Sequence, residues 1–195
     1  MKKLLQFITI LALPFVVSAQ TKTNLDIKSS IIAWEGKKVG GSHDGNVSLK
    51  SGNLIVSDSK VIGGEFVIDM NSITCKDIEN ADYNAKLVAH LKNEDFFNTA
   101  KFPTATLKIT KVAKAKNTKI SSHVITADLT IKGITKSIKF PANLKVVNGK
   151  VTATASFTVD RSLFDIRYGS ETFFGSLGDK AIKNEMYFTV SLVGL

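Results

Sequence analysis

Along most of the chain apolar and polar residues alternate with a period of two, the pattern of strands that turn one face to a core and the other to water. The alternation is clearest late in the sequence, where Val151, Ala153, Ala155, Phe157 and Val159 interleave with Thr152, Thr154, Ser156 and Thr158. Ile138, Phe140, Ala142, Leu144 and Val146 form the preceding set. Val147-Asn148-Gly149-Lys150 joins the two as a tight hairpin, because Asn-Gly accepts the positive φ that such turns require. Ile125, Ala127, Leu129 and Ile131 repeat the pattern before a turn at Gly133, as do Ala105, Leu107 and Ile109, and finally Met186, Phe188, Val190 and Leu192. Earlier strands are predicted over 31–36, 47–49, 54–57 and 61–70, with a bulge or sharp bend at Gly63-Gly64.

Two segments break the rule. Over 80–91, Tyr83, Leu87 and Leu91 recur at a spacing of four with Val88 beside them, which predicts a short amphipathic helix. Residues 163–169 read as a turn or a single helical turn between the last strands. About eight or more short strands with no alternating βαβ pattern argue a meander, either closed into a barrel or folded into a sandwich.

The N-terminus carries Lys2 and Lys3, an apolar run from Leu4 to Val17, and the small residues Ser18 and Ala19, the layout of a secretory signal peptide. The expected organisation is therefore a signal peptide over 1–19 and one β-barrel domain over 20–195, placed in the periplasm or secreted. The apolar run is shorter than the roughly 20 residues a bilayer-spanning helix needs, and no second run follows, so no transmembrane segment is expected in the mature chain. Net charge is +9 with 26 Lys and Arg, but the lysines are scattered singly. That scatter reads as a solvated surface or weak attraction to anionic envelope material, and no nucleic-acid partner is expected. A single cysteine, Cys75, excludes an intramolecular disulfide and leaves stability to packing.

An eight-stranded barrel is just wide enough either to be filled by side chains or to enclose one slender ligand. Several inward residues are small (Ala105, Ala127, Ala142, Ala153, Ala155), whereas Phe96, Phe97, Phe102, Phe164, Phe173 and Phe174 gather in non-strand segments. Small staves with aromatic ends describe a wall plus a lid. The alternative is that the loop aromatics fold inward and plug the interior.

Four strings resemble the YceI-like family, in family order and over essentially the whole mature chain. They are Trp34-Glu35-Gly36-Lys37-Lys38-Val39-Gly40-Gly41-Ser42-His43-Asp44-Gly45; His90-Leu91-Lys92-Asn93-Glu94-Asp95-Phe96-Phe97 with Lys101-Phe102-Pro103-Thr104-Ala105; the turn from Asp128 to Lys136; and Asp160-Arg161-Ser162-Leu163-Phe164-Asp165-Ile166. The resemblance implies an all-β fold, an eight-stranded antiparallel lipocalin-like barrel with one short helix. It also implies export and the binding of a polyisoprenoid-type lipid, an isoprenoid quinone or prenyl phosphate. No cofactor is required beyond such a bound lipid or quinone. Asp165 stands where glycine is common in the family, and Cys75 lies in a segment that usually lacks a thiol.

The expected apolar lining or lid comprises Trp34, Phe66, Phe96, Phe97, Phe102, Leu129, Phe140, Phe157, Phe164, Phe173, Phe174 and Phe188. Head-group candidates are His43, Arg161 and Arg167, the two arginines because a planar guanidinium suits phosphate or carboxylate; a structural salt bridge from Arg161 to Asp160 or Asp165 is the plainer reading. His43, His90 and His123 show no metal-ligand spacing, and His90 reads as a packing or capping residue. No nucleophile elbow, phosphate loop or dinucleotide fingerprint is present, so no enzyme is expected and no catalytic residue is nominated. Two other roles stay open: an enzyme acting on an apolar substrate, and an envelope stress or scaffold protein with a filled barrel. Exposed loop phenylalanines permit a homodimer without requiring one.

Overall fold

The computed structural model describes residues 19–195, so the signal peptide read at 1–19 lies, apart from Ala19, outside the described residues. Nine strands form one antiparallel sheet: β1 (Gln20–Asn24), β2 (Ile31–Lys38), β3 (Gly41–Ser57), β4 (Lys60–Asp69), β5 (Thr104–Lys114), β6 (His123–Ile131), β7 (Ile134–Val147), β8 (Lys150–Asp160) and β9 (Ile182–Val193). Their order is β1-β3-β2-β9-β8-β7-β6-β5-β4, and pairing of β3 with β4 closes the sheet into an eight-strand barrel with β1 as an extra strand. β1 and β2 both pair with β3 on one edge, at Asn53 to Ser57 and at Gly41 to Val47 respectively. They thus follow one another along a single stave, broken where the Asp26 carboxylate accepts from the backbone N–H groups of Lys28 and Ser29.

The register follows from turn chemistry. Asn148 and Gly149 have φ of +51° and +79°, and Lys132 and Gly133 have +51° and +75°, the double positive φ whose twist suits a two-residue hairpin. The inward rows are those of the alternation: Ile125, Ala127, Leu129 and Ile131 of β6 are all buried while their neighbours are half-exposed. Lys136, Lys139 and Lys145 of β7 point out and are exposed, a face suited to water. None of the described helices is long and apolar enough to cross a membrane.

The first half of the sheet departs from the expected strands in part. The strands predicted over 47–49 and 54–57 are parts of the single 17-residue strand β3. Its polar middle is a register shift between Leu49 and Ser51, which absorbs Lys50 without ending the strand. The bulge or bend expected at Gly63-Gly64 is present as a second shift, with Ile62 as the extra residue just before the glycine pair. β1 had no signal, because in Gln-Thr-Lys-Thr-Asn only Thr23 turns inward.

Helix α1 (Ala81–Lys92) begins where the Asn80 side chain accepts from the N–H groups of Asp82 and Tyr83. It lies at the same barrel end as the β2–β3 and β6–β7 turns. Leu91 is buried and Leu87 packs against the core, but Tyr83, expected on the same face, is 64% exposed. The β8–β9 connection crosses that end too, through a 3-10 turn at Arg161–Phe164 and the four-residue helix α2 (Glu171–Phe174). Asp165 adopts the left-handed conformation, φ +56°, that a glycine would supply, and the Lys132 ammonium donates to its carbonyl at 2.8 Å.

Gly45, opposite Trp34 in the β2–β3 ladder, has a structural reason. A Cβ there would stand 1.8 Å from the Thr74 carbonyl oxygen and 2.8 Å from the Trp34 ring. Gly45→Ala is expected to lower unfolding stability by about 3 kcal/mol through overpacking against backbone, whereas Gly41→Ala should change it by less than about 0.5 kcal/mol, both read by urea denaturation.

Candidate functional site: an apolar cavity in the barrel

The barrel encloses a cavity of about 210 Å³ whose wall presents only apolar surface. It exists because backbone geometry sets the circumference of an eight-strand barrel, while much of the inward row is alanine. Ala105, Ala142, Ala153 and Ala155 line it from three staves. Larger groups complete the wall: Trp34 from β2, Phe66 from β4, Leu129 from β6, and Phe140, Phe157 and Phe188 from β7, β8 and β9. The last three form a ladder across adjacent strands, Phe140 stacked on Phe157 at 4.3 Å and Phe157 tilted to Phe188 at 5.6 Å. Phe96 and Phe97, in the loop after α1, cap the helix end of the cavity together with Leu91 and Ile73.

Eight of the twelve expected lining residues therefore meet around one space, and four do not. Phe164 is fully buried in the core behind the wall. Phe102 is half-buried and packs on the β6–β7 turn, within 3.2 Å of where a Gly133 Cβ would stand. Phe173 and Phe174 lie outside on α2, 37% and 60% exposed, with the Arg167 guanidinium 5.1 Å from the Phe173 ring. The α2 side chains miss the interior because that short helix sits on the outer surface of the β8–β9 connection. Sequence reading also passed over Ile73 and Gly36, which no alternating strand pattern marks as wall.

The head-group candidates separate in the same way. His43 lies in β3, where its Nδ1 meets the Asp77 carboxylate at 2.8 Å. Asp77 also accepts from the Asp44 N–H and from the Cys75 thiol, tying the segment after β4 to β3. Burial alone would raise the Asp77 carboxyl, but these hydrogen bonds prevail and hold it at about 2. Burial, and after it the hydrogen bond to Asp77, push the Cys75 thiol up from its ordinary value. Arg167 pairs at the surface with Asp165. His90 touches Phe96 and Tyr168 edge-on at 5.1 and 4.4 Å, a packing residue over the lid. Among the described residues no group of three His, Cys, Asp or Glu side chains could hold a metal ion.

Only Arg161 reaches the cavity wall, and it is 2% exposed. The salt bridge expected to Asp160 or Asp165 does not form. Its Nε donates to the Lys183 carbonyl at 3.1 Å, and its terminal nitrogens to those of Ile166 and Ile182 at 2.9 and 3.0 Å. Asp160 instead accepts from the Ser162 N–H and hydroxyl. Burial pulls the guanidinium down from its ordinary value, partly offset by the Asp160 charge, but a guanidinium remains cationic throughout the working range.

Two outcomes follow for these groups. Arg161→Met, which leaves the buried Ile166 carbonyl and the part-buried carbonyls of Ile182 and Lys183 without their donor, should lower stability by about 3–5 kcal/mol in chemical denaturation, and Arg161→Lys should recover less than half because one ammonium cannot fork to three acceptors. The depressed Asp77 carboxyl stabilises the fold above its unfolded value near 3.8, and that contribution is lost as pH falls through about 2. Asp77→Asn should therefore flatten the stability–pH profile between about pH 4 and 2, as followed by urea midpoints.

Known proteins share this architecture. The crystal structure of BcnA from Burkholderia cenocepacia superposes with a TM-score of 0.67 at 19% identity, covering 88% of this chain and 99% of that one. A polyisoprenoid binding domain from Saccharophagus degradans, implicated in plant cell wall breakdown, gives 0.63 at 16% identity, covering 91% and 98%. In sequence, a UPF0312 protein of Shewanella denitrificans is 37% identical over 100 residues, 51% of this chain and 44% of that protein. Protein YceI of Escherichia coli is 44% identical over 55 residues, 28% of this chain and 27% of its own length, so these alignments span under half of either relative. The model of the YceI-like domain matches residues 23–193, and with the closed barrel and its apolar cavity this places the chain in the YceI-like family.

Proposed function

We propose that this protein is an exported lipid-binding barrel that holds a long apolar chain of isoprenoid type, an isoprenoid quinone or prenyl phosphate, as a carrier or reservoir. The observation that carries the reading is the enclosed cavity, lined by hydrocarbon contributed from β2 to β9. Burying an apolar chain stabilises a complex by about 0.8 kcal/mol per CH₂ before the losses of association are subtracted. Tight binding thus needs no catalytic group, and what the wall offers a ligand is surface to bury. The relative from Saccharophagus degradans, by its description a polyisoprenoid binding domain, supports the same ligand class. Export is read from the charged, apolar and small-residue segments at the N-terminus. The cavity of about 210 Å³ is smaller than the roughly 300–1,000 Å³ usual for ligand pockets, so loading a long chain requires the staves or lid to part. Arg161 is the head-group candidate that this reading retains.

Native mass spectrometry of detergent-free protein should recover a bound lipid or show uptake of added isoprenoids; repeated recovery of empty protein with no uptake would sink the proposal. Paired substitutions separate a hollow barrel from a filled one. Ala155 borders the cavity, so Ala155→Leu should leave stability within about 1 kcal/mol and weaken uptake at least tenfold. Ala127 is fully buried away from the cavity, and Ala127→Phe should cost about 1–3 kcal/mol.

A further inference from the structure

The cavity reaches the seam between β2 and β9, where it shares residues with a surface groove. β2 and β9 pair normally up to Gly36 opposite Met186, and again at Lys38 opposite Ile182, so Lys183 to Glu185 have no partner on β2. The window is closed beyond that point by the Val39 N–H on the Ala181 carbonyl at 3.3 Å. Arg161 donates to the carbonyls of Ile182 and Lys183 and so anchors this irregular start of β9 from the side of the β8–β9 connection. Gly36 stands at its inner edge, and a Cβ placed there would meet nothing within 4 Å. Apart from Thr154 between Ala153 and Ala155, the cavity is lined elsewhere by alternate residues of each strand, but here it touches the consecutive Trp34, Glu35 and Gly36 on β2 and the pairs Ile182-Lys183 and Glu185-Met186 on β9. A surface groove continues outward from the same place, sharing Glu35, Lys183 and Glu185 and adding Lys37 and Lys38. On the inner side the Trp34 indole N–H, two residues from Gly36, is buried without a hydrogen-bond partner, a donor whose desolvation an entering acceptor would relieve.

We propose that the ligand is a single-chain anionic amphiphile whose tail enters between β2 and β9 at Gly36 and whose head, a phosphate or carboxylate, stays at this window. Lys37 pairs with Glu35 at the groove, but Lys38 and Lys183 against Glu185, with the Arg161 cation behind them, leave a positive balance that favours an anion, and the lid of Phe96 and Phe97 stays shut. The proposal rests on the reading that the cavity takes an apolar chain, and it adds the route and the orientation.

Trp34 is the only tryptophan and lies on the cavity wall, so its emission reports loading in stopped-flow mixing. The probes are geranylgeranyl phosphate and geranylgeraniol. Gly36→Phe should slow association and release of the phosphate at least tenfold each; undiminished association in folded Gly36→Phe, or release that is not slowed, overturns the portal. Should that variant fail to fold, Gly36→Cys alkylated with a bulky maleimide after folding replaces it. Its alkylated form should load at least tenfold more slowly than its unalkylated form, and equal rates overturn the portal. The wild type should bind the phosphate at least fivefold more tightly than the alcohol, and equal affinity overturns the head-group assignment. A wild type that loads neither probe overturns the carrier reading and the portal together, whereas loading with a null Gly36 effect overturns the portal alone.

Discussion

Closure of the sheet is the constraint from which the rest descends. Once β3 pairs with both β2 and β4, the interior width is set by strand number and tilt, and no inward side chain can shrink it. A core that cannot collapse must be filled by bulk or left open. With alanine repeated along the inward rows and phenylalanine grouped in one three-ring ladder, this barrel leaves it open. A sandwich with the same residues could slide its sheets together; a closed ladder cannot.

The motif residues acquire distinct physical roles in that frame. Gly45 and Gly36 sit in the same sequence string, yet the first is required because Thr74 crosses at van der Waals contact and the second faces empty space. Arg161 is a buried cation that serves three carbonyls at the point where β9 leaves its ladder, which is why the chain spends an arginine there among so many lysines. Asp165 and Lys132 show the same economy of backbone: one takes the left-handed conformation, the other caps its carbonyl, and together they tie the β6–β7 turn to the start of the β8–β9 connection.

Much of this was legible beforehand. The alternating rows of β6, β7, β8 and β9, the Asn148-Gly149 hairpin and the helix capped by Asn80 are local, and local signals survive into the fold because register and helix caps are decided by near neighbours. The wall residues on those strands were legible for the same reason. The four displaced phenylalanines lie in connections, where periodicity carries no information about which way a ring turns. β1 was invisible because it has no apolar row, and β3 read as two strands because a bulge interrupts alternation without interrupting hydrogen bonding.

By itself, then, the sequence determined the strands from β5 onward, the tight turns between them, their inward faces and the family, since each depends on residues close together in the chain. Only the tertiary structure decided that the interior is hollow, that Arg161 binds carbonyls and not a carboxylate, and that the β2–β9 register shifts after Gly36. Those outcomes depend on how staves far apart in sequence meet around a fixed circumference, a relation that no local pattern of side chains encodes.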